Sequence, residues 1–200
     1  MNAPFEPRAP GDLLRLIEAF PLAWVMPSHV EARLPSLLPL VPVVGADGRL
    51  ERLIGHMARR SPLHPALVAN PQALILFQGP QGYVSPAHVA KPDWIPTWNF
   101  AQARIAATVT FHPEGGDEAL NLLVEHMDRH EPNGWRPRDV GERYRMMEQQ
   151  VIAFDADVTH VEARFKLAQD ETLRELSDIL ARHPDPELVD WMRWANRHRL

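Results

Sequence analysis

The sequence predicts an α+β fold built around an antiparallel sheet. Strand-like segments come mostly in succession, helical periods are inserted late, and neither GxGxxG nor GxxxxGK[ST] occurs to mark a doubly wound nucleotide fold. With 200 residues, 45% of them hydrophobic, the chain can bury a substantial core. One domain spanning residues 1–200 is therefore expected, with 170–200 as a helical C-terminal extension.

Each element has its own signal. Leu13, Leu16, Ile17 and Phe20 fall at i, i+3, i+4 and i+7, an amphipathic helix that Pro21 stops. Leu22 to Met26 is a short apolar run. The aliphatic segment from Leu37 to Val44 leads into Gly45-Ala46-Asp47-Gly48, a hairpin signal, and Leu50 to Met57 returns with Leu53 and Gly55 on one face and Ile54 and His56 on the other. Ser61-Pro62 reads as an N-cap and first helical residue, and that helix ends near Asn70-Pro71. Ala73 to Phe77 and Gly82 to Ser85 read as strands, with a loop carrying the chain on to Thr97-Trp98-Asn99. Ile105, Ala107, Val109 and Phe111 alternate with Arg104, Ala106, Thr108 and Thr110, the clearest period-2 pattern in the chain.

The helical period returns at Leu120, Leu123, Val124 and Met127, and a second helix is expected from Asp139 to Gln150. Ile152, Phe154, Ala156 and Val158 then alternate with Ala153, Asp155, Asp157 and Thr159 in a long strand that ends near Phe165-Lys166-Leu167. Two terminal helices follow, and Asp185-Pro186 supplies the cap and first residue of the last.

Composition narrows the function classes. No apolar run is long enough to span a bilayer, and MNAPFEPRAPGD lacks the features of an export signal, so a cytoplasmic protein without a membrane partner is expected. The absence of cysteine excludes disulfides, thiolate metal sites and a cysteine nucleophile. A net charge of −5 works against non-specific attraction to nucleic acid, so any DNA contact needs a local basic patch. Only Lys91 and Lys166 are lysines among the 21 basic residues, and the remaining guanidiniums are suited to phosphate.

The most suggestive local arrangement is His56-Met57-Ala58-Arg59-Arg60-Ser61-Pro62. Two guanidiniums precede a helix whose first amides are unpaired and whose dipole is positive there, an arrangement suited to a phosphomonoester. Two surface arginines before an ordinary cap would look the same. Elsewhere, His126 and His130 have a metal-compatible spacing, but no third ligand is evident and exposed helix histidines are expected. Asp155 and Asp157 share a strand face opposite the apolar set, which predicts solvent exposure. Arg193, Arg197 and Arg199 make the C-terminus basic, as a last helical turn favours.

Five motifs in series carry a family resemblance: Leu53-Ile54-Gly55-His56-Met57-Ala58-Arg59, Phe77-Gln78-Gly79-Pro80, Tyr83-Val84-Ser85-Pro86, Pro96-Thr97-Trp98-Asn99, and Phe165-Lys166-Leu167 followed by Gln169. In this order they resemble the PaiB-like FMN-binding negative transcriptional regulators, over roughly residues 10 to 180. The resemblance implies an antiparallel split β-barrel with peripheral helices, a fold shared with flavin reductases and pyridoxamine phosphate oxidases. It also implies a homodimer with flavin at the subunit interface, and DNA as a partner by family resemblance alone. By matching motif, Arg59, Arg60 and Ser61 are candidates for the FMN phosphate and His56 for the phosphate or ribityl chain. Gln78, Trp98 and Asn99 are candidates for the flavin ring, and Lys166 for a charged contact from the partner subunit.

The chain departs from the family pattern at Ala32-Arg33-Leu34-Pro35, Leu63-His64, Ala87-His88, Phe100, and Ala168 with Asp170. These changes remove donors or reshape a pocket, which leaves open weak FMN binding, another flavin or haem-like ligand, or none. Three functions follow: a flavin-linked regulator, a flavin-dependent oxidoreductase acting on a small substrate, or a cofactor-free dimeric scaffold. No dedicated acid, base or nicotinamide motif marks the second.

Overall fold

The computed structural model describes residues 5–29, 35–129, 131 and 140–200. Ala32-Arg33-Leu34, His130 and the expected helix start at Asp139 lie outside the described residues. In chain order the elements are α1 (Pro10–Ala19), β1 (Leu22–Pro27), β2 (Ser36–Val44), β3 (Leu50–Ala58), α2 (Leu63–Ala69), β4 (Gln72–Val84), β5 (Thr97–His112), α3 (Gly116–Met127), α4 (Glu142–Glu148), β6 (Val151–Lys166), α5 (Leu173–Arg182) and α6 (Pro186–Asn196). The strands close into a barrel in the order β1-β2-β3-β6-β5-β4, with every pairing antiparallel. No helix among the described residues is long and apolar enough to cross a membrane.

Alternation fills the barrel. Val25, Leu40, Leu53, Ile75, Ile105 and Phe154 are fully buried, and each such side chain contributes about 1.5–3 kcal/mol by leaving water. Gly55 sits among them because a Cβ there would come within 2.5 Å of Leu40 and 2.7 Å of Phe154. The β2–β3 hairpin turns where the sequence predicts, with Gly48 at φ +77° and its amide bonded to Gly45 C=O. The first helix also matches its prediction, and Asp12 anchors its start by accepting the amides of Arg8 and Ala9.

The long strands outrun the barrel. β1 meets β4 only at Ala73–Leu76, and β3 meets β6 only at Val151–Asp157. Beyond those points β4, β5 and β6 continue as a three-stranded extension. Gly79 gives Leu16 of α1 room against it, and Gly82 does the same for Leu188 of α6. The terminal helices thus close one face of the extension, and Phe165, Trp191 and Trp194 stack edge to face between them. Arg15 lies 5.0 Å and 4.8 Å from the two indole centroids and ties α1 to α6.

Three expectations need correcting. The strands read separately at Ala73–Phe77 and Gly82–Ser85 are one strand, β4, interrupted by a bulge between Gln78 and Gln81 that keeps the ladder running. Asp155 is not solvated: its side chain is 17% exposed and takes Arg52 at 2.7 Å and His112 at 3.2 Å. His126 is half-buried beside Arg129, and burial, reinforced by that guanidinium, lowers its pKa.

Candidate functional site

The outward face of β3 ends in the basic motif. His56 alternates with the inward Gly55 and Met57 and is half-buried. Burial lowers its pKa below the ordinary histidine value, which favours the neutral ring. Past Ala58 the chain turns sharply, with Ser61 N–H donating to Ala58 C=O at 2.8 Å.

The two arginines have different surroundings. Arg59 donates from Nε to Gln149 C=O at 3.0 Å and from Nη2 to Pro113 C=O, while its amide donates to Gln150 C=O. It therefore stitches the segments before α3 and after α4 onto the end of β3. These partners are neutral carbonyls, so its positive charge is not cancelled. Arg60 is exposed and makes no hydrogen bond or ion pair among the described residues.

The amides expected to be open at the start of α2 are in use. Leu63 N–H donates to Ser61 Oγ at 3.3 Å and His64 N–H to Ser61 C=O at 3.0 Å. His64 donates from Nδ1 to Arg59 C=O and packs edge-on against Phe111, 4.6 Å between ring centroids. What this end of the barrel offers an anion is accordingly guanidinium charge more than free backbone donors.

Beside it lies a feature the sequence reading missed. Leu22 and Trp24 of β1 and Leu37 of β2 point outward and are 50%, 44% and 43% exposed, with Trp24 directly opposite Leu37. Large apolar side chains left in water on neighbouring strands form a platform for something flat and apolar. The clue was parity: Ala23 and Val25 are the inward pair, which turns Leu22 and Trp24 out.

The remaining candidates lie elsewhere. Trp98 and Tyr83 form an exposed pair across β5 and β4, with ring centroids 6.0 Å apart. Lys166 stands opposite Phe100 and donates to Thr97 Oγ1. Gln78 is exposed at the β4 bulge, opposite Gln102, and lines an open groove of 1310 Å³ on the outer side of β4, β5 and β6. Asn99 points the other way: it is 1% exposed and its Nδ2 donates to Met192 Sδ at 3.2 Å, while its Oδ1 has no partner. That position supports α6 against β5.

One chain does not bring all eight residues together. His56 and His112 both flank Ala153, at one end of β5, whereas Trp98 and Lys166 lie at the other end. The sixteen residues of β5 span on the order of 50 Å, more than one flavin nucleotide can bridge.

Residues 1–160 match the family model described as "Putative FMN-binding domain". The chain belongs to this FMN-binding family. FMN is the cofactor that membership gives it, and the residues fit: a flavin nucleotide is anionic at one end and flat and largely apolar at the other, matching the charge of Arg59–Arg60 and the apolar Leu22–Trp24–Leu37 platform. Among relatives of this family member, an uncharacterized Saccharomyces cerevisiae protein, YKL070W, is 29% identical over 116 residues, 54% of this chain and 68% of that protein. The protease synthase and sporulation protein PAI 2 of Bacillus subtilis is 22% identical over 130 residues, 64% of this chain and 62% of that protein, less than two thirds of its length. It bears out the PaiB-like resemblance of the motifs. Among solved structures, the FAD and heme binding protein of Mycobacterium smegmatis superposes with a TM-score of 0.59 at 16% identity, over 88% of this chain and 80% of that one. The flavocytochrome Anf3 of Azotobacter vinelandii gives a TM-score of 0.59 at 13% identity, over 80% and 69%. At such identities the FMN-binding family member shares with them a fold, the split barrel.

Proposed function

We propose that the chain acts in the cytoplasm as a homodimeric FMN-binding regulator whose flavin site is shared between two copies. One copy supplies Arg60 and the charge of Arg59 to the phosphate, with Ser61 and the neutral His56 beside the ribityl chain and the Leu22–Trp24–Leu37 platform under the ring. The other supplies Trp98, Tyr83 and the Lys166 ammonium, with Gln78 at the margin. The observation that carries this reading is the length of β5, which separates the two sets within a chain while a two-fold operation can bring them together.

Bound FMN supplies reversible hydride or electron chemistry. The chain's own residues bind and orient: guanidiniums fix the anionic end, and apolar and aromatic side chains exclude water from the ring. FMN is on this reading a sensed or stored ligand, and the regulatory role follows the resemblance to PaiB-like regulators. Helices α5 and α6 are integral to the same domain, since their side chains seal the extension that presents Trp98.

The test is complementation. Arg60→Ala and Trp98→Ala proteins, each deficient in quenching FMN fluorescence, are mixed under exchange conditions. A shared site returns in the heterodimer, which has one intact site, whereas failure to recover any binding, or a monomer in sedimentation, overturns the proposal. Salt-dependent binding to its own promoter DNA supports direct regulation, and bleaching of bound FMN by NADH or NADPH with turnover favours an oxidoreductase instead.

A further inference from the structure

β6 is paired on both sides over only part of its length. β5 accompanies it from Ala153 to Lys166, but β3 stops at Asp157. Beyond that point no strand among the described residues pairs with the side facing away from β5. Phe165 shows which residues point there: its N–H donates to Phe5 C=O at 2.7 Å, and its C=O accepts Gln169 Nε2 at 2.5 Å. In an antiparallel ladder, residues two and four positions earlier point the same way. Ala163 and Val161 therefore turn their N–H and C=O toward the open side, and no main-chain bond from a described loop meets them.

This edge is recessed. The open stretch from Thr159 to Arg164, roughly 20 Å long, lies between the β2–β3 hairpin at Arg49 and the chain at Phe5. The 1310 Å³ groove runs along it: every residue from Val158 to Arg164 and from Phe5 to Pro10 lines it, and it continues over β4 and β5 to Gln78, Gln102 and Trp24. Its inward side is apolar, with Leu13, Leu50 and Val161. Its charged lining is Arg8, Arg49, Arg104 and Arg164 against Glu6 and Glu162, an excess of positive charge on a chain whose net charge is −5.

We propose that this groove receives an extended acidic segment of a partner protein, which adds to β6 as a further strand. Its main chain pairs with Val161 and Ala163, with apolar side chains turned toward Leu13 and Leu50 and acidic ones toward Arg49 and Arg164. Strand addition of this kind draws affinity from main-chain bonds and specificity from alternate side chains. A second copy pairing edge to edge would set the same guanidinium excess against itself, which disfavours it. Solvated edges are commonly blunted by charge alone, but here an apolar wall stands opposite the open amides.

The probe is an acetylated, amidated peptide Val-Glu-Val-Asp-Val-Glu, titrated into the full chain with amide shifts and heat both recorded. The expected result is a shift of the Val161 and Ala163 amides. N-methylating the alternate residues that face β6 weakens binding about tenfold or more, while N-methylating the other set changes it little. Lysine in place of the peptide's acids, or Arg49→Glu in the protein, gives a similar loss. These arms alter the ligand or an exposed turn, so they do not depend on a strand variant folding. Binding indifferent to N-methylation, or without effect on residues 159–164, overturns the proposal. So does a dimer that dissociates on Ala163→Pro, which would make the edge a contact between copies.

Discussion

Arg60→Ala should weaken FMN binding without weakening the fold. Arg60 makes no hydrogen bond or ion pair among the described residues, so its removal leaves no group unpaired. A hydrogen bond from a guanidinium to phosphate is worth about 1.5–3 kcal/mol, or roughly 10- to 150-fold in Kd. Arg60 is exposed, and screening at physiological salt takes the expectation to the lower end, about tenfold. Riboflavin lacks the phosphate, so its affinity should not change. Arg59→Ala differs because two carbonyls, Gln149 and Pro113, lose their donor, and a stability cost of about 1–2 kcal/mol should accompany any loss of FMN. The assay is flavin fluorescence quenching with both ligands at two salt concentrations, beside urea denaturation of each variant. Equal weakening of FMN and riboflavin by Arg60→Ala, or none of either, would refute the phosphate assignment. A tenfold loss confined to FMN would leave no reading of Arg60 as an idle surface charge.

Three further expectations follow from packing and charge. Gly55→Ala puts a methyl 2.5 Å from Leu40 and 2.7 Å from Phe154 inside a filled barrel, and should cost about 1–3 kcal/mol in denaturant unfolding; an unchanged midpoint would show that the barrel has slack. Ala168 is held at φ +65° while 1% exposed. Left-handed backbone costs a non-glycine residue roughly 1–2 kcal/mol, part of which glycine's looser unfolded chain offsets, so Ala168→Gly should raise the thermal midpoint, and a lowered one would count against strain there. Glu175 accepts from Thr172 Oγ1 and N–H and from Lys91, bonds that hold its carboxyl at about 2. A depressed carboxyl pKa stabilises the fold above the ordinary value of 4.5, and that contribution fades as pH falls toward 2. Glu175→Gln should therefore flatten the acid limb of stability against pH between those limits, and an unaltered limb would move the acid sensitivity elsewhere.

Much of the fold was legible because the barrel depends on parity, and parity is written in the sequence. Ile105 to Phe111 and Ile152 to Val158 declare a buried and an open face without reference to anything distant. What parity does not contain is where a strand stops. Gln78-Gly79-Pro80-Gln81 reads as a break because glycine and proline are poor strand residues, yet the bulge absorbs the irregularity and β4 continues. Gly79 is there because Leu16, sixty-three positions earlier in the chain, needs the space, a requirement that no local window holds.

The candidate site was half legible for the same reason. Arg60 and His56 could be named because a basic pair after a strand has a chemistry of its own. Trp24 could not, because an apolar run gives no hint which of its members meets water until its partner strands are known. Asn99 misled in the opposite sense: a polar residue beside Trp98 suggests a ligand contact, but adjacent residues of a strand face opposite ways, so the exposure of Trp98 itself buries Asn99 under Met192. Of any such neighbouring pair on a half-covered sheet, only one can touch a ligand from outside. On the proposed reading, with Trp98 facing out at the far end of β5, the flavin ring it covers belongs to the other copy of the dimer.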